Sequence, residues 1–176
     1  MPAPDRIDLS LDEIRAVAGF AAACARPALS LVGDDPRPRV AVDTAQAFAD
    51  GAPRTKALRD AAWDAHRAAQ EDRDAGHPAG SEAARAAGHA AGAAFLHPLA
   101  TATQVGHVLA AAAHAARALE LTGDDDHLAR CAALATPAVV AVLRRYPPAP
   151  GGRGRVGALM RALDGALRWG SGEGVR

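Results

Sequence analysis

Apolar residues recur along this chain at alternating steps of three and four, the period of a helix packed on one face. Ile14, Val17, Ala21, Cys24, Ala28 and Leu31 form the first such stripe, and Ser10-Leu11-Asp12-Glu13 ahead of it reads as a capping box. Pro27 interrupts the stripe, removing a hydrogen bond and crowding the preceding turn, so a kink or break is expected near Ala25 to Pro27. Asp35 is placed as an N-cap and Pro36 as the first residue of a second helix, which should carry Val40, Ala41, Thr44, Ala47 and Phe48 inward and end at Gly51. A third helix is expected from Pro53–Thr55 to Asp72, with Leu58, Ala61, Ala62, Ala65 and Ala69 on its apolar face. Gly76-His77-Pro78-Ala79-Gly80 then reads as a loop, with Ser81 capping a fourth helix that reaches Leu96. Thr101 or Thr103 caps a fifth, to Leu121, whose circumference is so largely apolar that it should have neighbours on several sides.

Thr122 to Asp126 is a turn, followed by a short helix with Leu128, Cys131 and Leu134 and by another that Thr136-Pro137 caps and starts. Pro147 to Gly152 cannot continue a helix, and Val156, Leu159, Met160, Leu163 and Leu167 mark a last amphipathic helix, with fraying expected beyond Trp169. No segment alternates with period two between turn signals. The expected fold class is therefore all-α, a single compact domain of about six to eight antiparallel or orthogonally packed helices. Residues 1–146 form the helical core, 147–154 a Pro/Gly linker and 155–169 a helix that docks on the core or serves as a contact.

Composition sharpens this picture in one respect. Of 176 residues 48 are Ala, against 32 Leu, Ile, Val and Phe together, so the helices must approach closely to bury enough surface. Twenty basic and 20 acidic side chains cancel, and Lys56 is the only lysine beside 19 arginines, a bias that nucleotide composition alone produces. No basic excess points to nucleic acid. No run approaches the roughly 18 uncharged apolar residues of a membrane-crossing helix, and Met1 to Ile7 lack the order of a signal peptide, so the expectation is a soluble cytoplasmic protein without membrane contact.

Candidate chemistry rests on histidine. His107 and His114 are two helical turns apart, within roughly 20° on one face and about 10 Å along it, and His66 and His89 on the two preceding helices could approach them. A metal site from His66, His89 and His107 is geometrically allowed but lacks HxxxH or ExxH spacing, and buried hydrogen-bonded imidazoles are the plainer reading. No cofactor is called for. Cys24 and Cys131 have no metal-ligand spacing and read as free, buried thiols rather than a disulfide or a nucleophile. No serine lies in a GxSxG elbow; Gly151-Gly152-Arg153-Gly154 follows no strand, and Asp124 to Asp126 lack the rest of a calcium loop. Arg37 and Arg39 occupy the first turn of the second helix, where positive charge opposes the macrodipole. They should pair with Asp34, Asp43 or a neighbouring helix, or else await an anionic partner.

From Cys24 through Asp34-Asp35-Pro36-Arg37-Pro38-Arg39 to Phe48-Ala49-Asp50-Gly51, the chain resembles immunity proteins of bacterial polymorphic toxin systems. The resemblance continues through Trp63-Asp64-Ala65-His66, Gly88-His89-Ala90 and His107-Val108-Leu109, covering residues 10 to 121, and departs from the usual pattern at Pro27 and His97-Pro98. It implies an all-α, non-enzymatic protein that binds a cognate toxin. The rival expectation is a small-molecule or metal-binding bundle, or an enzyme, with a pocket around His66, His89 and His107 lined by Trp63 and Arg37. A third is an oligomerisation module built on the last helix. Arg37, Arg39, Trp63, His66, His89 and His107 are the candidate binding residues.

Overall fold

The computed structural model describes residues 5–170, and the fraying expected at the C-terminus lies mostly outside them. Among the described residues eight α-helices follow one another: α1 (Leu11–Ala25), α2 (Pro36–Ala49), α3 (Lys56–Asp74), α4 (Pro78–Gly92), α5 (Val105–Glu120), α6 (His127–Leu134), α7 (Pro137–Arg144) and α8 (Arg155–Trp169). Short 3-10 turns occupy Arg26–Leu31, Ala93–Phe95 and Ala102–Gln104. Extended pairing among the described residues amounts to one antiparallel bridge, Arg6 with Leu99. The all-α expectation holds.

Local chemistry accounts for most boundaries. Ser10 Oγ accepts from Glu13 N at 3.1 Å while Ser10 N donates to Glu13 Oε2 at 2.9 Å, the reciprocal pair of a capping box. At Pro27 the α-helix gives way to 3-10 winding, the expected break. Asp35 caps α2 by accepting from Arg37 N at 2.9 Å, and Pro36 stands at the first helical position.

Three expectations need correction. The inward face of α2 is Pro38, Ala41, Val42, Ala45 and Phe48, whereas Val40 is 51% exposed and Ala47 points outward, so the buried stripe is rotated by about one residue from the expected one. Secondly, α4 begins at Pro78, not at a Ser81 cap. Proline's fixed φ starts that helix, and a Cβ on Gly80 would stand 2.6 Å from Asp72 Oδ2 and 3.1 Å from the Leu31 carbonyl, so the glycine permits close packing inside a helix. Ser81 spends its hydroxyl on the Ala69 carbonyl of α3, at 2.7 Å. Thirdly, Leu11–Leu31 does reach the length and mean hydropathy of a membrane-crossing helix, with 56% of the window buried against the rest of the chain. Its inner positions, from Ile14 to Leu29, belong to the common core.

The helices α4 and α5 form the centre, with α1, α2 and α3 packed around α4 and with α1, α6 and α8 around α5. Every buried side chain of α4 is Gly, Ala or Ser, which is what lets its neighbours come close. Phe48, Leu58, Leu109, Leu143 and Leu163 are the largest fully buried apolar side chains. Helix α8 lies along α5, α6 and α7. A buried ion pair, Arg168 Nε to Asp164 Oδ1 at 2.6 Å, fixes it to the preceding linker: Arg168 donates to the carbonyls of Tyr146 and Pro147, and Ala149 N donates to Asp164.

Candidate functional site

Three helices bring the sequence-nominated histidines together. His66 projects from α3, His89 from α4 and His107 from the first turn of α5, and all three border one concavity of about 370 Å³. Trp63, 62% exposed, stands at its edge one turn before His66, and Arg59 lies a turn earlier on the same face of α3. Phe95, from the 3-10 turn after α4, closes the remaining side with Arg59 stacked over its ring at 5.1 Å.

The imidazoles form a ladder. The ring of His66 meets that of His89 edge-on, with centroids 5.0 Å apart, and His89 stacks on His114 at 4.9 Å with planes 9° apart. His114 Nδ1 is 2.6 Å from Glu82 Oε2, which anchors the far end. His107 Nδ1–H donates to the Gly92 carbonyl at 2.9 Å and leaves Nε2 for the cavity. Gly88 makes the ladder possible, since a Cβ there would stand 2.8 Å from the His66 ring.

The electrostatics are consistent among the three. Burial lowers the pKa of His66, with Arg85 and His114 adding repulsion. His89 is held well below the usual value by burial and by His114, His66 and His107 in turn. Burial also lowers His107, partly offset by its bond to Gly92. At neutral pH the pocket therefore presents uncharged imidazoles beside the permanent cation of Arg59. Asp60 and Asp64 are held by Lys56 and Arg67 along α3, so the nearest carboxylates on that helix have partners of their own.

Arg37 and Arg39 lie elsewhere. Arg37 is bound by its own cap residue Asp35, with Nε to Oδ1 at 3.0 Å, and by Glu71 of α3, with Nη1 to Oε1 at 3.1 Å. Asp34 and Asp43 are not its partners; Asp43 takes Arg26 at 2.9 Å. Arg39 is exposed on the outer side of α2. Neither lines the histidine pocket, because the first turn of α2 packs against the far end of α3, and the expectation that Arg37 joins Trp63 there is corrected. Among the described residues no three His, Cys, Asp or Glu side chains have the geometry to hold a metal ion.

Sequence reasoning missed Arg59, Gly88 and Phe95. The run Arg59, Trp63, His66 at steps of four and three was a signal for the first, since it traces one face of α3. The glycine has no signature, because its role depends on a ring from another helix. A second concavity of about 500 Å³ between α1, α2 and the α6–α7 junction includes Asp12 and Arg15. Arg15 is already engaged there, donating to the Gly51 carbonyl at 3.1 Å and lying over the Phe48 ring.

Fold and site together define an all-helical protein with an aromatic, imidazole-rich concavity on three of its helices. Residues 8–135, more than half of the chain, match a family model described as Imm-5 like putative immunity protein, and the chain belongs to that family. No curated protein and no solved structure matches it.

Proposed function

We propose that this protein neutralises a cognate bacterial toxin by binding it directly, without chemical turnover. Family membership over residues 8–135 is the observation that carries the reading. The organisation of the molecule agrees with it. The core is closed by small residues and a buried ion pair, a rigid body of the kind that binds with little loss of conformational freedom. Its surface carries Trp63 and several arginines, residue types that dominate tight protein interfaces.

The test is co-expression with each candidate toxin found among the neighbouring genes. Protection of the host together with recovery of a stable stoichiometric complex is the expected result. Protection without any complex would replace binding by a catalytic or indirect mechanism, and no protection would remove the reading for that toxin. The protein acts in the compartment where the toxin acts, and the expectation of a cytoplasmic location is checked in the same cells by fractionation.

A further inference from the structure

The histidine pocket has a composition that a structural role does not require. A core histidine normally spends its ring nitrogens on fixed partners. Here, among the described residues, neither His66 nor His89 hydrogen-bonds to a protein atom, and His107 uses only Nδ1. Three imidazoles therefore bring uncommitted nitrogens to one concavity.

Charge and shape narrow what could meet them. Among the described residues no carboxylate lines the cavity, whereas Arg59 does, and its guanidinium sits over the Phe95 ring instead of in an ion pair. Arg85 lies close enough to depress both His66 and His89, and Arg54 adds a second cation over Phe95. The walls between these groups are the rings of Trp63, Phe95 and the histidines with the small residues Ala62, Gly88 and Gly92. Flat apolar walls suit a flat apolar body; one N–H each of neutral His66 and His89, and His107 Nε2 once it gains a proton, are donors that beside an unpaired cation suit an anion of carboxylate geometry. The volume of about 370 Å³ is at the scale of small-molecule sites.

We propose that the pocket bounded by Trp63, His66, His89, His107 and Arg59 binds a small organic carboxylate with a flat apolar body. The carboxylate sits between Arg59 and the imidazole nitrogens, and the body lies against Trp63 and Phe95. This goes beyond toxin binding and does not depend on it. Binding is linked to protons, because an anion beside His66, His89 and His107 favours their charged forms and each takes up a proton more readily when the site is filled. The other groups facing them are Arg59 from α3, Arg85 and the Glu82–His114 pair from α4 and α5, and His97 beside His107. Glu82 is already bonded to His114, so it does not satisfy the pocket imidazoles. Affinity rises as pH falls.

The full chain, with isotope-labelled histidine, is titrated with benzoate and 2-naphthoate and, in parallel, with the uncharged benzamide and 2-naphthamide. Saturable shifts of the His66, His89 and His107 ring signals by the acids alone are expected, with tighter binding at about pH 6 than at about pH 8. Arg59→Ala should weaken binding about tenfold, the usual consequence of losing one charge-assisted contact, with an unchanged helical spectrum. Equal binding of acids and amides would overturn the anionic assignment, as would an Arg59→Ala variant that binds the acids undiminished. Absence of any shift up to about 10 mM would overturn the site itself. Loss of toxin protection plays no part in these readouts, so failure here and failure of the immunity reading are separate results.

Discussion

His127 and His89 face the interior of the same fold from different helices, and they end in opposite states. His127, on α6, is 1% exposed; its Nε2–H donates to the Cys24 carbonyl at 2.8 Å, with Cys131 Sγ at 3.4 Å. Burial works against its charged form, but the bonds to Cys131 and Cys24 outweigh it and raise its pKa. His89, on α4, has only other imidazoles and a cavity around it, and its pKa falls. The first ring is a strut between α1 and α6; the second is a wall. The lesson is that the fate of the ring nitrogens, committed in the buried His127 and uncommitted in the half-buried His89, is what separates a structural histidine from a site histidine.

The largest effect that breaks this comparison comes from the strut. His127→Ala removes a fully enclosed ring and strips the Cys24 carbonyl of its donor, so chemical unfolding should show a loss of about 3 kcal/mol. A loss below about 1 kcal/mol would mean that α1 and α6 are held by the alanine surfaces and that the hydrogen bond contributes little. Nearby, Cys24 and Cys131 are free and buried as expected, but the fold also brings them into contact: a hydrogen bond to Cys131 and then burial raise Cys24, while the bond from Cys24 pulls Cys131 down with help from His127.

Next in size is Gly88→Ala. The new methyl would meet the His66 ring at 2.8 Å, so the ring must move into the cavity or α3 must shift. A cost of about 1–2 kcal/mol is expected in unfolding experiments, with displaced His66 and Trp63 signals and unperturbed His127. An alanine accepted without movement of His66 would contradict the packing of the ladder.

Titration sharpens the comparison through its sign. The pocket histidines have folded pKa values below the unfolded value near 6.5, so as pH falls from about 7 the unfolded chain takes up protons that the folded pocket refuses, and stability declines. His127 acts in the other direction: its raised pKa contributes stability that is fully present below about 6.5 and is lost as pH rises through its folded value. Each proton can contribute a slope of at most about 1.4 kcal/mol per pH unit. Replacing His66 and His89 by Phe should flatten the acid decline between about pH 7 and pH 5, whereas His127→Phe should leave that limb alone and remove the gain in stability that appears as pH falls through the folded His127 value to about 6.5. Identical slopes in both variants would show that other groups control the acid limb.

The fold was legible where local chemistry decides it. Ser10 with Glu13, Asp35 with Pro36, and Thr136 with Pro137 mark helix starts by bonds made within four residues, and those starts are where they were expected. Legibility failed where the deciding atom came from far along the chain. Gly80 looked like a loop residue because the reason for it, Asp72 and the Leu31 carbonyl, is a tertiary contact. The inner face of α2 was misplaced because, in a helix with so many alanines, the periodic signal is shared by several faces. At the site, ordered spacing placed His66, His89 and His107 on adjacent helices, but nothing local assigned Arg37 to Glu71 or left Arg59 without a carboxylate.

The smallest expected effect belongs to Trp63, and its smallness is informative. The side chain is 62% exposed and packs edge-on toward His66 at 6.4 Å between centroids, so Trp63→Ala removes little buried surface. Unfolding should change by no more than about 0.5 kcal/mol. A residue that the fold scarcely uses, kept at the rim of a pocket where His66 and His89 have no hydrogen-bond partner among the described residues, is available for a ligand or a partner protein. If the loss instead exceeds about 1 kcal/mol, the tryptophan is a lid over α3 and α4, and the rim is part of the core after all.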